Sequence, residues 1–161
     1  MMVTTNFLID VSYSQISVFW SSLQQPFNDW TQRHVDQGFV WRKGSVSFRT
    51  LVEYGSHLVQ LDIVDHAGSV SADVFRAIEV PFEVPSEGNI EIASISDFMP
   101  LTLPPGDYSL RCEFFGYSNE GVQLMRLVFA KEDVPCFNVL RSDDELTLGQ
   151  ELLTSAEAAI S

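Results

Sequence analysis

Residues 57–64 read HLVQLDIV. Apolar and polar residues alternate in this stretch, which is the two-residue period of a strand with one face on a core and the other toward solvent. The pattern predicts a β-strand whose apolar side chains at positions 59, 61 and 63 point inward, while Gln60 and Asp62 point outward.

The same alternation recurs along the chain between glycine, proline, asparagine and aspartate residues, which favour turns. The predicted strands are Leu8–Trp20, Val46–Val52, His57–Val64, Val74–Val84, Asn89–Ile95, Pro100–Leu103, Tyr108–Tyr117 and Val122–Ala130. About eight short strands without alternating helices favour two packed antiparallel sheets over an α/β fold. We therefore predict an all-β fold, an antiparallel β-sandwich that forms a single domain over residues 1–161.

The first predicted strand changes its inward-facing set near Ser14. Before this residue the set contains Val11 and Tyr13, and after it the set contains Ile16 and Val18. A change of phase of this kind indicates a β-bulge, and Tyr13 is expected to point into the core.

Two segments depart from the alternation. In the connection Ser21–Ser45, residues 28–31 read NDWT and are followed by residues 32–37 and Gly38, which predicts a short capped helix. Near the C-terminus, residues 142–145 read SDDE and match a capping box, with leucines at 146, 152 and 153 available for one helical face. The acidic extension 142–161 is therefore expected to be helical.

The chain is strongly acidic, with 22 acidic and 9 basic residues and a formal net charge of −13 at pH 7. Proteins bind nucleic acid largely through lysine and arginine at the phosphates, so this balance argues against direct nucleic-acid binding. Between Thr50 and Met125 the only lysine or arginine residues are Arg76 and Arg111. The acids either keep the protein soluble or present a negative field to a partner, and composition leaves both roles open.

The sequence has features of a soluble cytoplasmic protein. Cys112 and Cys136 are too few for a disulfide framework, which indicates a reducing compartment. The N-terminal MMVTTNFLID does not resemble a secretory signal. The longest uncharged run, Val11–Asn28, is interrupted by serine and glutamine and falls short of the ~20 apolar residues of a membrane span. No membrane insertion is expected.

Sequence motifs for catalysis or metal binding are missing. His34, His57 and His66 are scattered, without the spacing of a zinc site. The acids Asp62 and Asp65 lack the glycine and terminal glutamate of a calcium loop. The sequence contains no nucleophile elbow, phosphate-binding glycine loop or cysteine–histidine signature. We expect no cofactor, no metal and no enzymatic activity, with an enzyme built from paired carboxylates as an alternative.

Three tryptophans are candidates for the core or for an interface. Trp20, at the end of a predicted strand, is expected in the core. Trp30 and Trp41 lie in the irregular connection, and Trp30 directly follows Asp29. A tryptophan held in a rigid loop beside acids suits the centre of a protein–protein contact, and core packing is the other role open to it.

A series of short motifs follows in order along the chain. These motifs are Ser12-Tyr13-x-Gln15, Val18-Phe19, Pro26, Asp29-Trp30-Thr31, Gly38, Gly44-x-Val46-Ser47-Phe48, Val80-Pro81-Phe82, Ile92-x-Ser94-Ile95 and Leu103-Pro104-x-Gly106-Asp107-Tyr108-x-Leu110-x-Cys112. In this order they resemble the competence protein J family. The resemblance covers roughly Ile9 to Cys112, so the acidic extension from Ser142 onward is expected to lie outside it.

That family is described as inhibiting a DNA-entry nuclease. The resemblance therefore implies an immunity-like inhibitor whose partner is a basic DNA nuclease, blocked either by carboxylates in place of phosphates or by simple steric cover. The acids Asp62, Asp65 and Glu113 are the candidates for the electrostatic contact. Asp29 is the candidate for a direct contact beside Trp30, which would anchor the interface.

A second class of function uses the same aromatic residues differently. A β-sandwich module for a small ligand or a carbohydrate would stack its ligand on them. Such a module would not need the excess of acids.

Overall fold

The alternating segments fold into strands in the computed structural model, which describes residues 2–131 and 134–160. The strands are β1 (Val3–Val11), β2 (Gln15–Trp20), β3 (Phe39–Arg42), β4 (Ser45–Arg49), β5 (Gly55–Val64), β6 (Arg76–Val84), β7 (Asn89–Ala93), β8 (Phe98–Thr102), β9 (Gly106–Tyr117), β10 (Gln123–Lys131) and β11 (Asn138–Arg141). One helix, α1 (Gln32–Gln37), joins β2 to β3. The all-β prediction is confirmed, with eleven strands among the described residues in place of about eight.

The strands form two sheets. The six-stranded sheet has the order β1-β5-β10-β9-β6-β11, and the five-stranded sheet has the order β3-β4-β2-β7-β8. Neighbouring strands run antiparallel except for β5 and β10, which are parallel with His57 opposite Gln123. The inner faces of the two sheets enclose a shared apolar core, so the sandwich prediction is also confirmed.

The core follows the alternation read from the sequence. Val59 and Leu61 of β5 are buried on the inner face, as predicted. At its centre, the ring of Phe129 meets the edges of Phe82 and Tyr108, with ring centroids 6.1 and 5.7 Å away. The Tyr108 hydroxyl, whose burial would otherwise leave it unpaired, donates to the carbonyl of Pro104 at 2.8 Å.

The predicted strand Leu8–Trp20 is two strands in different sheets, and the predicted bulge is wrong. Tyr13 and Ser14 both have a φ of 58°, and Ser12 bridges to Gln15 across them. Left-handed conformation at two consecutive residues makes a tight turn, which carries the chain from the six-stranded to the five-stranded sheet. This turn reverses the side-chain phase, so Tyr13 is exposed and does not enter the core.

Two short strands carry no alternation and were missed. In β3, Phe39 faces the core while Val40 is buried on the opposite face, so both faces are apolar. The side-chain amide of Asn28 donates to the backbone carbonyl of Val40 at 3.3 Å. Strand β11 pairs with β6 at the edge of the six-stranded sheet.

The short helix in the long connection is confirmed. Thr31 caps its first turn, because its hydroxyl accepts from the His34 backbone N–H and its own N–H donates to His34 Nδ1 at 3.0 Å. Gly38 ends the helix with a φ of 91°. No helix in the described chain has the length and apolar composition needed to cross a bilayer.

The helix predicted within 142–161 is wrong, because the described residues 142–160 contain no helix and, after a turn at 144–145, run along the connection between β2 and β3. Leu146 enters the core. The side chain of Gln37 donates to the Leu153 carbonyl at 2.9 Å and accepts from the Leu153 N–H at 2.8 Å. Ala158 bridges to Asn28 as a strand would. These bonds occupy backbone groups that a helix would have paired internally. We call residues 142–160 the C-terminal strap.

Candidate protein-binding surface

The structure distributes the five predicted binding residues over two outer faces of the sandwich. Asp62 and Glu113 lie on strands β5 and β9, on the outer face of the six-stranded sheet, and Asp65 follows the end of β5. Asp29 and Trp30 lie in the connection that covers the outer face of the five-stranded sheet. The five residues therefore do not form one surface.

Asp62 points outward as predicted, but the expectation that it is exposed is wrong. Its side chain is 0% exposed, and its carboxylate accepts from Thr4 Oγ1 at 2.8 Å, Gln60 Nε2 at 3.0 Å and Arg126 Nε at 2.5 Å. Thr4 and Arg126 belong to the strands on either side of β5. The carboxylate is therefore neutralised within the sheet.

Glu113 belongs to the same buried group of charges. One carboxylate oxygen lies 3.5 Å from Arg126 Nη1, and the other lies 3.7 Å from Arg111 Nη1. Arg111 also donates to the carbonyl of Gly68, in the loop between β5 and β6, at 3.0 Å. Two arginines and a covering loop thus leave Glu113 buried, and the expectation that it faces solvent is wrong as well.

The buried pairing of Asp62 makes stability depend on pH. Burial raises the pKa of Asp62, but hydrogen bonds from Thr4, Arg126 and Gln60 outweigh it and hold that pKa below the ordinary value of 3.8. A carboxyl group with a lowered folded-state pKa adds stability above its unfolded-state pKa and loses it as the pH falls through the folded-state value. Asp62 thus stabilises the fold at neutral pH, and this contribution declines as the pH falls from 3.8 through the lower folded-state pKa.

Asp62→Asn is expected to lower the free energy of unfolding by about 1–3 kcal/mol at pH 7, because the charged hydrogen bonds are lost. The difference from the parent protein should shrink when both are unfolded in urea at pH 3. Asp144→Asn, at an exposed position, serves as the control and should stay within about 0.5 kcal/mol at both pH values. A difference that is the same at pH 3 and pH 7 would contradict the assigned role.

Asp65, Asp29 and Trp30 lie at the surface. Asp65 is exposed at the end of β5, and Asp29 is exposed in the connection. Trp30 is half-buried, and its indole Nε1 donates to the side-chain oxygen of Gln15 on β2 at 3.2 Å. Trp30 is not among the residues that pack in or against the apolar core.

Trp30 borders a surface that the sequence did not reveal. Tyr13, Ser14, Gln15 and Trp30 line a recess of about 400 Å³. Tyr13 is 63% exposed and meets Tyr54, which is 57% exposed, edge to face with ring centroids 6.0 Å apart. We call Tyr13, Ser14, Gln15, Trp30 and Tyr54 the corner surface.

The turn beneath the corner surface is strained and firmly held. Left-handed conformation in a residue other than glycine costs on the order of 1 kcal/mol. The Ser14 N–H donates to the Glu53 carbonyl at 3.0 Å, and the Ser14 carbonyl accepts from the Thr50 N–H at 3.0 Å. These bonds fix the direction in which the Tyr13 ring leaves the protein.

The charge around the corner surface is mainly negative. Asp29 precedes Trp30 and Glu53 precedes Tyr54, and both acids are exposed. The one arginine that lines the recess, Arg49, donates to the carbonyls of Val35 and Glu145 at 3.2 and 3.1 Å. Its charge is further offset by the Glu145 carboxylate at 3.8 Å.

The C-terminal strap holds the segment that carries Trp30. The Asp29 N–H donates to the Glu157 carbonyl at 2.8 Å, and the Ala159 N–H donates to the Phe27 carbonyl at 2.8 Å. The Ser155 carbonyl lies 3.0 Å from His34 Nε2 on α1. The connection is therefore clamped between the five-stranded sheet and the strap, which limits the movement of Trp30.

The chemistry needed for a metal site or a reactive thiol does not assemble in the residues described. Within 2–131 and 134–160, no three histidine, cysteine or acidic side chains are grouped closely enough to hold a metal ion. Burial raises the pKa of the Cys112 thiol well above its ordinary value, so this thiol is held protonated.

Known proteins are similar to this chain in sequence and in fold. Residues 8–130 match the family competence protein J (ComJ). The chain is 30% identical over 106 residues to a DNA-entry nuclease inhibitor of Bacillus subtilis (strain 168), which covers 65% of this chain and 76% of that protein.

Two solved structures are similar. The crystal structure of ComJ from Bacillus subtilis, inhibitor of the DNA degrading activity of NucA, has a TM-score of 0.71 and 24% identity over 82% of this chain and 99% of that chain. The structure of crocagin biosynthetic gene J has a TM-score of 0.56 and 16% identity over 80% and 97% of the two chains. The match at 8–130 extends beyond the motifs that first indicated it and leaves the strap outside, and by this match the chain belongs to the competence protein J family.

Proposed function

We propose that this chain is a protein inhibitor of a DNA-entry nuclease. Its membership of the competence protein J family carries the proposal, together with its 30% identity to a DNA-entry nuclease inhibitor. As part of the same proposal, the chain acts by occupying the nuclease and not by catalysis, and it acts in the cytoplasm, where it protects the cell's own DNA.

The charge of the molecule suits this task. A nuclease that holds DNA without reading its sequence does so through basic groups at the phosphates. The excess of 22 acids over 9 bases gives the inhibitor a field of opposite sign, which speeds the encounter and excludes free DNA from the same contact. Because Asp62 and Glu113 are paired internally, the field that reaches the partner comes from the exposed acids.

Plasmid protection tests the proposal directly. The purified chain is mixed with the DNA-entry nuclease of its own organism, and in parallel with NucA of Bacillus subtilis, before plasmid DNA is added. We expect protection that saturates with inhibitor concentration. We also expect salt to slow the onset of protection, because salt screens the attraction that guides association.

The control is an unrelated protein of similar net charge at the same concentration, assayed with excess Mg²⁺ so that simple metal capture does not protect the plasmid. Degradation by both nucleases that continues unchanged at low salt and excess inhibitor would contradict the proposal. Protection by the control protein would show that charge alone is responsible and would also contradict it.

A further inference from the structure

The inference that follows rests on the proposed function and adds the contact surface to it. We propose that the corner surface, Tyr13, Ser14, Gln15, Trp30 and Tyr54, is where the inhibitor docks on the basic DNA-binding groove of the nuclease. Asp29 and Glu53 stand beside its aromatic residues as the charged part of the contact.

The aromatic residues are the first argument for this surface. Tyr13 and Tyr54 expose more than half of their side chains and contact each other, although neither contributes to the core. Tyrosine and tryptophan dominate the binding energy of protein interfaces, since they bury large rigid area and still offer a polar tip. Tyrosine faces also attract the cationic side chains that line a DNA-binding groove.

The backbone is the second argument. The turn at Tyr13 and Ser14 places two ordinary residues in left-handed conformation, where glycine or asparagine would fit with less strain. The result of this conformation is that the Tyr13 ring points out of the protein and not into the core. Backbone hydrogen bonds to Glu53 and Thr50 fix the turn, and a hydrogen bond to Gln15 fixes Trp30. Binding therefore costs little further conformational entropy.

Charge complementarity favours this surface over the outer face of the six-stranded sheet. On the outer face of the six-stranded sheet, Leu8 lies opposite Leu58 in an exposed pair. Beside that pair, arginines already neutralise the carboxylates of Asp62 and Glu113. The outer face of this sheet therefore presents little negative charge to a basic partner. At the corner surface, by contrast, the acids are exposed and the nearby arginine is occupied by carbonyls and by Glu145.

The test compares the removal of exposed side chains from the corner surface with their removal from the six-stranded sheet. Tyr13→Asn removes the ring but keeps a residue that accepts left-handed conformation, and Tyr54→Ser removes the second ring. Tyr117→Ser and Leu8→Ser, both at exposed positions away from the corner surface, are the matched controls. Nuclease affinity is measured by titration with immobilised nuclease, and plasmid protection is measured alongside.

Each corner variant is expected to weaken binding by about tenfold to a hundredfold, as for a residue at the centre of an interface. The controls should stay within about twofold of the parent protein. Thermal unfolding checks the folded state, and Tyr13→Asn should unfold no earlier than the parent because its turn is less strained.

The charged part of the contact has its own signature. The double variant Asp29→Asn, Glu53→Gln should associate several times more slowly at low salt and lose much of its salt dependence. If the parent protein inhibits the nuclease and both corner variants inhibit equally well, the docking surface is wrong while the proposed function stands. If the parent protein itself does not inhibit, the proposed function fails and the inference falls with it.

Discussion

Asp143→Ala is expected to lower the free energy of unfolding by about 3–5 kcal/mol, because it leaves the buried guanidinium of Arg76 dependent on the more distant Glu145 carboxylate, at 3.5 Å. Arg76 on β6 is 0% exposed, and its Nη2 lies 2.8 and 2.9 Å from the two carboxylate oxygens of Asp143. The same side chain donates from Nη1 to the Arg49 carbonyl at 2.7 Å, which holds it in place. Urea unfolding followed by circular dichroism measures the loss.

The double variant Arg76→Met, Asp143→Leu is the matched control for this effect. It removes the charge together with its partner, and buried ion pairs replaced by apolar residues of similar size often lose little stability. We expect it to recover most of the stability that Asp143→Ala loses. An Asp143→Ala protein within about 1 kcal/mol of the parent would show that Arg76 finds compensation elsewhere, and would contradict the prediction.

Leu146→Ala is expected to cost about 2–5 kcal/mol, because the strap is part of the core and not an appendage. Leu146 is buried against Gly38, where an added Cβ would lie 3.0 Å from the leucine side chain and 2.9 Å from Ile78. The close approach of the strap therefore depends on the missing side chain of Gly38. The midpoint of urea unfolding reports the loss.

Leu148 provides the control within the same segment, because it has the same side chain but is 45% exposed. Leu148→Ala should change stability by no more than about 0.5 kcal/mol. If the two leucine variants unfold at the same urea concentration, the strap contributes no core packing and the prediction is wrong.

The strands were predicted well wherever one face is apolar and the other polar. Strands β5, β6 and β9 lie where the alternation placed them. Strand β3 was missed because Phe39 and Val40 are both fully buried, so that apolar residues occur on both of its faces. Periodicity reports burial and not backbone conformation, and it fails where another segment covers the second face.

The strap shows a second limit of the sequence pattern, because here the pattern predicted a helix that the structure does not contain. Its leucines and its capping motif predicted a helix, but its backbone is held extended by Gln37 and by the connection near Asn28. These partners are more than a hundred residues distant in the chain. Tertiary hydrogen bonds override local preference here, and local preference is all that a short window of sequence contains.

The candidate site was predicted only in part. Asp29 and Trp30 lie beside the corner surface, but Tyr13 was assigned to the core because the alternation was extended through the turn. The sequence does indicate the turn, since the phase of the alternation changes at Ser14. A two-residue turn explains this change as well as a bulge does. Which acids are neutralised depends on strand register, such as Arg126 beside Asp62, and composition does not reveal it.

The parallel pairing of β5 with β10 delays the assembly of the six-stranded sheet during synthesis. Strand β5 leaves the ribosome early, but its partner β10 belongs to the last third of the chain. Until β10 emerges from the ribosome, β1 is the only neighbour that β5 has in its sheet. Asp62 on β5 then lacks its partner Arg126. The parallel ladder and the ion pair between Asp62 and Arg126 can therefore form only after β10 has been translated.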